Sequence, residues 1–254
     1  MKSGNMPSRN ARIDYDSLAA RYDAHRSGEG PYLDVLASLA RESKAERLLE
    51  IGVGTGNVAS ALGRRWPCQL YGIDASRAML AQARGKRCCE GFILGSGEAL
   101  PFADSSFDFV YGSYVLHHIR DANAAITEAV RTVGCGAAAF VTASHDFIRR
   151  HPVNAFFPSF AAIDTARFQP VEQLLEHFRD AGCVEWGSET VHGGVMSIDA
   201  HYLAKIEGQF ISTYALLPPQ EFKSGLAKLK HEVQRNGTAG VPFQWESVVV
   251  WGKI

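Results

Sequence analysis

The fold is decided by Leu48-Leu49-Glu50-Ile51-Gly52-Val53-Gly54-Thr55-Gly56-Asn57. A short apolar run leads straight into three glycines at alternate positions, and a helix is predicted from about Asn57. Glycine tolerates positive φ and lets a ligand approach the backbone closely. The helix start beyond it offers unpaired N–H groups and partial positive charge to an anion. The spacing is GxGxG, not the GxGxxG of the dinucleotide fingerprint. Two acids flank it: Glu50, two residues before Gly52, and Asp74, which closes the next apolar run, Tyr71-Gly72-Ile73-Asp74. A carboxylate at that second place can accept both hydroxyls of a ribose.

Outward from this stretch, apolar runs recur at 48–51, 69–73, 92–94, 107–111 and 137–142, separated by helical or loop segments. Two more follow at 183–191 and 243–252. Short continuous apolar strands alternating with helices mark a parallel sheet covered on both faces. The expectation is an α/β, Rossmann-like, mostly parallel seven-stranded sheet with helices on both faces and a helical cap. Asp121–Val133 reads as one covering helix, and Pro170 opens another that stops at Gly182. Between the last two strands, helices are predicted from about Asp199 to Leu216 and from Pro218-Pro219 to Asn236-Gly237. That is more chain than a sheet connection requires. The predicted organisation is a helical lid over 1–42, a core over 43–196, a cap over 197–238 and a last core strand over 239–254. Residues 1–12 are polar and expected to fray, with a helical reading from Tyr15 to Arg41.

Composition narrows the function. Among 254 residues, 26 basic and 27 acidic side chains leave a net charge of −1, which gives no electrostatic footprint for nucleic acid or an anionic membrane. There is no apolar stretch of membrane-spanning length and no signal-peptide pattern at the start, so a cytoplasmic protein without membrane insertion is expected. Five cysteines (Cys68, Cys88, Cys89, Cys135 and Cys183) lack CxxC spacing, which argues against a disulfide framework or a zinc site; no metal is expected. Asp108, inside an apolar run, reads as a scaffold residue that bonds backbone groups. Of the neighbours His117 and His118, at most one lines a pocket, and a neutral histidine there suits general base catalysis. Arg149, Arg150, His151, His192, His201, Tyr202, Lys205 and Tyr214 are further polar candidates, each more readily read as solvated or packing residues. Phe156, Phe157 and Phe160 read as core.

With these motifs in order, residues 15–142 resemble the class I S-adenosylmethionine-dependent methyltransferases, in particular the quinone-biosynthesis-like group. Gly95-Ser96-Gly97-Glu98-Ala99-Leu100-Pro101-Phe102 is similar to the family's adenine-side loop. Ser113-Tyr114-Val115-Leu116-His117-His118-Ile119 is similar to its fourth-strand motif. The resemblance implies that S-adenosyl-L-methionine is the cofactor and S-adenosyl-L-homocysteine the product. Gly52, Gly54 and Gly56 then lie under the methionine moiety, Glu50 near its amino end and Asp74 on the ribose. Ala75 borders the adenine, Ser96, Gly97 and Glu98 run along its polar edge, and Ser113 lies near the sulfonium. His117 points toward the transfer site, and Tyr22 corresponds to the lid aromatic. The family commonly has Asp where this chain has Ser96, a neutral and weaker acceptor. The implied reaction is methyl transfer to O, N or C of a small molecule. An RNA (tRNA) methyltransferase and a non-catalytic S-adenosylmethionine-binding regulatory module are the alternatives.

Overall fold

A computed structural model describes residues 22–23 and 26–254. The polar start, Tyr15 and most of the predicted lid before Arg26 lie outside the described residues. The described elements begin with α1 (Tyr32–Glu42), β1 (Arg47–Ile51), α2 (Asn57–Arg65), β2 (Gln69–Asp74), α3 (Arg77–Lys86), β3 (Gly91–Leu94) and β4 (Phe107–Ser113). They continue with α4 (Ala122–Thr132), β5 (Val133–Thr142), α5 (His145–Arg150), α6 (Phe160–Arg167), α7 (Val171–Asp180) and β6 (Glu185–Ile198). The last are α8 (Ala200–Glu207), α9 (Ser212–Leu216), α10 (Pro219–Asn236) and β7 (Val241–Lys253). The strands form one seven-stranded sheet in the order β3-β2-β1-β4-β5-β7-β6. The pairs β3–β2, β2–β1, β1–β4 and β4–β5 are parallel, whereas β7 runs antiparallel to β5. The predicted mostly parallel sheet is therefore present. Strand order reverses between β1 and β4, and in open α/β sheets the crevice at such a switch point receives ligands.

The chain divides into two compact units. The larger comprises residues 14–144, 169–193 and 246–254. Its central strands β1, β4 and β5 are buried on both faces, so neighbouring residues serve opposite cores. Leu48, Phe109, Tyr111, Ala137, Ala139, Val141 and Val249 pack with α1 and α2 on one face. Leu49, Ile51, Val110, Ala138, Phe140, Val248 and Val250 pack with α4 and α7 on the other. Phe107 breaks this parity, because it joins Val110 rather than Phe109. The reason is a register shift between Phe107 and Phe109. Such a bulge exposes backbone, and the side chain at its centre is put to use. The Asp108 carboxylate accepts the Glu46 and Arg47 N–H groups at 3.0 and 2.8 Å, capping the free start of β1. Asp108 is thus the scaffold residue its sequence context predicts. Helix starts are fixed in the same way: Ser76 accepts the Met79 N–H before α3, and Asp121 accepts the Ala124 N–H before α4.

Among the described residues the smaller unit comprises 145–168 and 194–245. Its core is aromatic and aliphatic: Phe157, Phe160, Tyr202, Ile206, Tyr214, Leu229 and Phe243, among others. Tyr202 and Tyr214, candidates for gripping a substrate, are core residues here, and burial raises both phenols above their ordinary pKa. His151 is 9% exposed, and burial lowers its pKa to about 4, so it is a neutral packing residue that accepts the Val153 N–H. Asp164 is buried beside Arg167 and accepts the Thr213 hydroxyl at 2.6 Å. The Glu221 carboxylate accepts both the N–H and the hydroxyl of Ser159, joining the starts of α6 and α10.

The β4 bulge sets up a contrast between two glycines. A Cβ on Gly136 would lie 1.8 Å from the Asp108 carbonyl oxygen, whereas one on Gly63, inside α2, would meet nothing within 4 Å. Gly136→Ala is expected to cost about 3 kcal/mol through overpacking against backbone. Gly63→Ala should stabilise by about 0.5–1 kcal/mol by removing unfolded-state entropy. Urea unfolding of the two variants checks this, and equal effects would refute the role given to the bulge.

Candidate functional site

The turn after β1 is built from left-handed backbone. Gly52, Gly54 and Gly56 have φ of 71°, 54° and 79°. The Gly52 and Val53 N–H groups donate to the Ile73 carbonyl at 2.8 and 3.1 Å, pinning the turn to the end of β2. Two of these glycines are also required by packing within the chain. A Cβ on Gly52 would lie 2.3 Å from Val115, and one on Gly56 would lie 2.8 Å from the Cys88 sulfur. Gly54 differs, since the nearest atom to its added Cβ is 4.0 Å away. The turn is therefore closed by protein on either side and open at its middle glycine.

Asp74, at the end of β2, faces this opening. Its Oδ2 accepts the Gly54 N–H and its Oδ1 the Ser76 N–H, each at 2.8 Å. The carboxylate is thereby held in one orientation. Ala75 follows, exposed. Glu50, one residue before the end of β1, is 1% exposed and accepts the Tyr111 hydroxyl at 3.0 Å. Burial pushes its carboxyl well above the ordinary range, and the neighbouring negative charge of Asp74 adds to this; the Tyr111 and Ala59 donors oppose it.

Sequence reasoning passed over Asp23. Its carboxylate accepts the Thr55 hydroxyl at 2.5 Å and the Asn57 amide at 2.9 Å, and pairs with the Lys86 ammonium at 2.7 Å. Burial opposes its charge, but Lys86, Thr55 and Asn57 outweigh this and hold Asp23 below its ordinary pKa. It thus ties the chain before α1 to the start of α2, where negative charge is favoured. The clue was its position beside Tyr22. The Tyr22 hydroxyl accepts from Arg26 at 2.7 Å, and the guanidinium lies 4.7 Å from the ring centre.

Across the switch point, β4 ends at Ser113, near Tyr32 of α1, whose hydroxyl donates to the Gly28 carbonyl at 3.1 Å. Burial raises the Tyr32 hydroxyl to about 12. Tyr32 meets Tyr114 edge-on, with ring centres 6.2 Å apart. Tyr114 adopts a φ of 51°, unusual for a bulky residue, and shares a 2.7 Å hydrogen bond with Ser247. Strained backbone of this kind clusters at functional sites. His117 and His118 follow in a single tight turn, with ring centres 3.9 Å apart; His117 is half-buried and His118 exposed.

The loop after β3 is committed to itself. The Ser96 hydroxyl donates to Glu98 and accepts the Glu98 N–H, both at 3.2 Å. The other Glu98 oxygen accepts the Asp121 N–H at 2.8 Å. Gly97 packs beneath Ile51, where a Cβ would lie 2.7 Å from the isoleucine methyl. The predicted site residues all lie on the larger unit, and apart from Tyr22 they sit within or just beyond the carboxyl ends of β1, β2, β3 and β4. Among the described residues no group of three or more His, Cys, Asp or Glu is placed to hold a metal ion. None of their helices is long and apolar enough to cross a membrane.

Residues 49–141 match a protein family described as a methyltransferase domain. Among curated relatives, a ubiquinone/menaquinone biosynthesis C-methyltransferase of Desulfotalea psychrophila is 28% identical over 130 residues, 48% of this chain and 53% of the relative. A malonyl-[acyl-carrier protein] O-methyltransferase of Erwinia billingiae is 27% identical over 177 residues, 64% of this chain and 69% of the relative. The chain spans about half the length of the first relatives it matches. A crystal structure from Anabaena variabilis, provisionally assigned as a methyltransferase of an antibiotic biosynthesis pathway, superposes with a TM-score of 0.73 at 20% identity. It covers 90% of this chain and 100% of that one, and at this identity the likeness speaks for the fold.

The buried Glu50 carboxyl has a measurable consequence. A folded pKa raised above the unfolded value of 4.5 means that the folded state binds the extra proton. Its contribution is complete below the unfolded pKa and is lost as pH rises toward the folded one. Glu50→Gln is therefore expected to gain stability relative to the parent as pH increases from about 4.5. Urea unfolding at several pH values checks this, and parallel curves for the two proteins would contradict it.

Proposed function

We propose, from the class I S-adenosylmethionine-dependent methyltransferase domain of the quinone-biosynthesis-like group that this chain carries, that it transfers the S-adenosylmethionine methyl group to a small molecule. The observation that carries this reading is the open middle of the glycine turn beside a carboxylate already aligned by two backbone N–H groups. The turn admits an extended ligand at Gly54, and the Asp74 carboxylate beside it, an acceptor-only group, is suited to ribose hydroxyls. Gly52 and Gly56 hold the turn's shape against Val115 and Cys88, and Glu50 lies beneath the turn, suited to the cofactor's amino group. Ala75 borders the adenine, and Gly97 with its neighbours Ser96 and Glu98 forms the loop along the adenine edge. Because the Ser96 hydroxyl already has both a donor and an acceptor partner, recognition there rests on backbone.

The cofactor supplies a methyl carbon activated by positively charged sulfur, so the protein's task is position, orientation and exclusion of water. Ser113, Tyr32 and Tyr114 gather at the end of β4, where an acceptor must lie in line with the methyl–sulfur bond at about 3–3.5 Å. Aromatic faces stabilise a cationic sulfur. Tyr22 and Tyr114 are the rings assigned that role, and His117 the base for an acceptor that loses a proton on methylation. The relatives' names span a quinone-type carbon acceptor and a carboxyl oxygen acceptor. Both are compatible with a near-neutral chain, whereas a net charge of −1 disfavours RNA.

Calorimetric titration with S-adenosylhomocysteine tests the proposal. Binding is expected for the parent and should weaken at least about ten-fold in Asp74→Ala, since two charge-assisted hydrogen bonds are lost. Equal affinity in parent and variant, or no binding by either, overturns the site. Binding without turnover on any quinone, phenol or carboxylate acceptor would point to a regulatory module.

A further inference from the structure

We propose that Cys88 is a covalent modification site built against the glycine turn: its thiolate exchanges with a small-molecule disulfide, and the resulting mixed disulfide displaces the Gly56 turn and weakens binding of S-adenosyl ligands. The second half of this proposal rests on the function proposed above; the first does not.

Placement carries the inference. Helix α3 ends at Lys86, and Arg87, with a φ of 52°, turns the chain so that Cys88 and Cys89 precede β3. The two sulfurs are 3.8 Å apart, and both residues are partly accessible. The Cys88 sulfur also lies 3.6 Å from the Gly56 carbonyl oxygen. It occupies the space that a Gly56 Cβ would need, at 2.8 Å, so nothing can be added to this sulfur on that side without moving the turn. Lys86, which holds Asp23 and Asn57 at the start of α2, adds positive charge nearby. The three groups form a nucleophilic cluster for which methyl transfer as described has no use.

The other thiols differ. The Cys89 hydrogen bond lowers the Cys88 thiol to about 6 against the effect of burial, with help from Ser60 and Lys86. Burial raises Cys68 and Cys183 to about 11, which suppresses their thiolates. Cys135 is exposed and serves as the internal comparison.

In the exchange, the Cys88 sulfur attacks one sulfur of R–S–S–R. The Cys88–S–S–R bond forms as the original S–S bond breaks. The departing thiolate takes the electron pair and then a proton from solvent. The cysteine sulfur is oxidised to the disulfide level while one R sulfur is reduced to a thiol. A second exchange, joining Cys89 to Cys88, is disfavoured, because adjacent Cα atoms are about 3.8 Å apart, below the usual disulfide span. The product is the mixed disulfide.

The test treats the full chain with hydroxyethyl disulfide, follows each cysteine by peptide mass mapping, and measures S-adenosylhomocysteine affinity before and after. At pH about 6 Cys88, with the Cys89 sulfur and Lys86 beside it, is expected to react several-fold faster than Cys135. Modification should weaken S-adenosylhomocysteine binding at least about ten-fold, dithiothreitol should restore it, and Cys88→Ser should abolish the sensitivity. Equal or faster reaction of Cys135 at pH about 6 overturns the site. A Cys88 adduct with unchanged affinity, or sensitivity that persists in Cys88→Ser, overturns its link to the turn. If the untreated chain binds no S-adenosylhomocysteine, the functional reading fails by itself. The Cys88-to-Cys135 rate ratio still decides the site, and a lowered Tm of the adduct relative to the parent decides whether the turn is displaced.

Discussion

The larger unit depends on one constraint: between β1 and α2 the chain must turn through left-handed backbone in a space with no room for side chains. Gly52 lies against Val115, and Gly56 against Cys88. Each contact joins the turn to a different neighbour, the first beyond β4 and the second before β3. The turn is pinned to β2 as well, through the Ile73 carbonyl. Its shape is thus fixed by three other parts of the sheet, and only at Gly54 does it remain open. Packing is complete around this single gap.

That packing requires strands whose two faces are both buried, and the cost falls on backbone groups at strand ends. Different side chains satisfy them at the two ends of the sheet. At the amino end of β1, Asp108 accepts two N–H groups from the β4 bulge, and Gly136 makes room for the bulge's carbonyl. At the carboxyl end of β2, Asp74 accepts two N–H groups from the turns on either side of it. The two aspartates make similar bonds but differ in what stands next to them. Asp108 closes a strand end, whereas Asp74 borders the opening at Gly54.

This contrast explains what the sequence reveals. The glycine turn, Asp74 and the alternation of strands and helices are legible because each depends on residues close together in the chain. Asp108 is legible as scaffold because an acid inside an apolar run needs backbone partners. Asp23 is not, since its importance comes from Thr55, Asn57 and Lys86, more than thirty residues away. Tyr32 reads only as one position on an apolar helix face, and its edge-on contact with Tyr114 depends on how α1 packs on the sheet. In the smaller unit the helices of residues 199–236 and the core character of Phe157 and Phe160 are visible in the pattern. The burial of His151 and Tyr214 is not, because a polar tip on an apolar body fits core and surface equally well.

Acidic groups gather around the turn although the chain as a whole is nearly neutral, and they are not equivalent. Asp23 is balanced by Lys86, and Asp74 accepts two backbone N–H groups. Glu50 is fully buried and accepts from neutral donors, the Tyr111 hydroxyl and the Ala59 N–H. Its charged form is therefore the costly one in the ligand-free protein. An ammonium group brought beneath the turn would reverse that balance by supplying the missing positive charge. On neighbouring strands on either side of the open glycine stand an acid held by backbone N–H groups, Asp74, and a buried acid, Glu50. Under the function proposed above, a ligand carrying both a ribose and an amino group would engage the two together, and one with only one of those groups would leave the other acid unanswered.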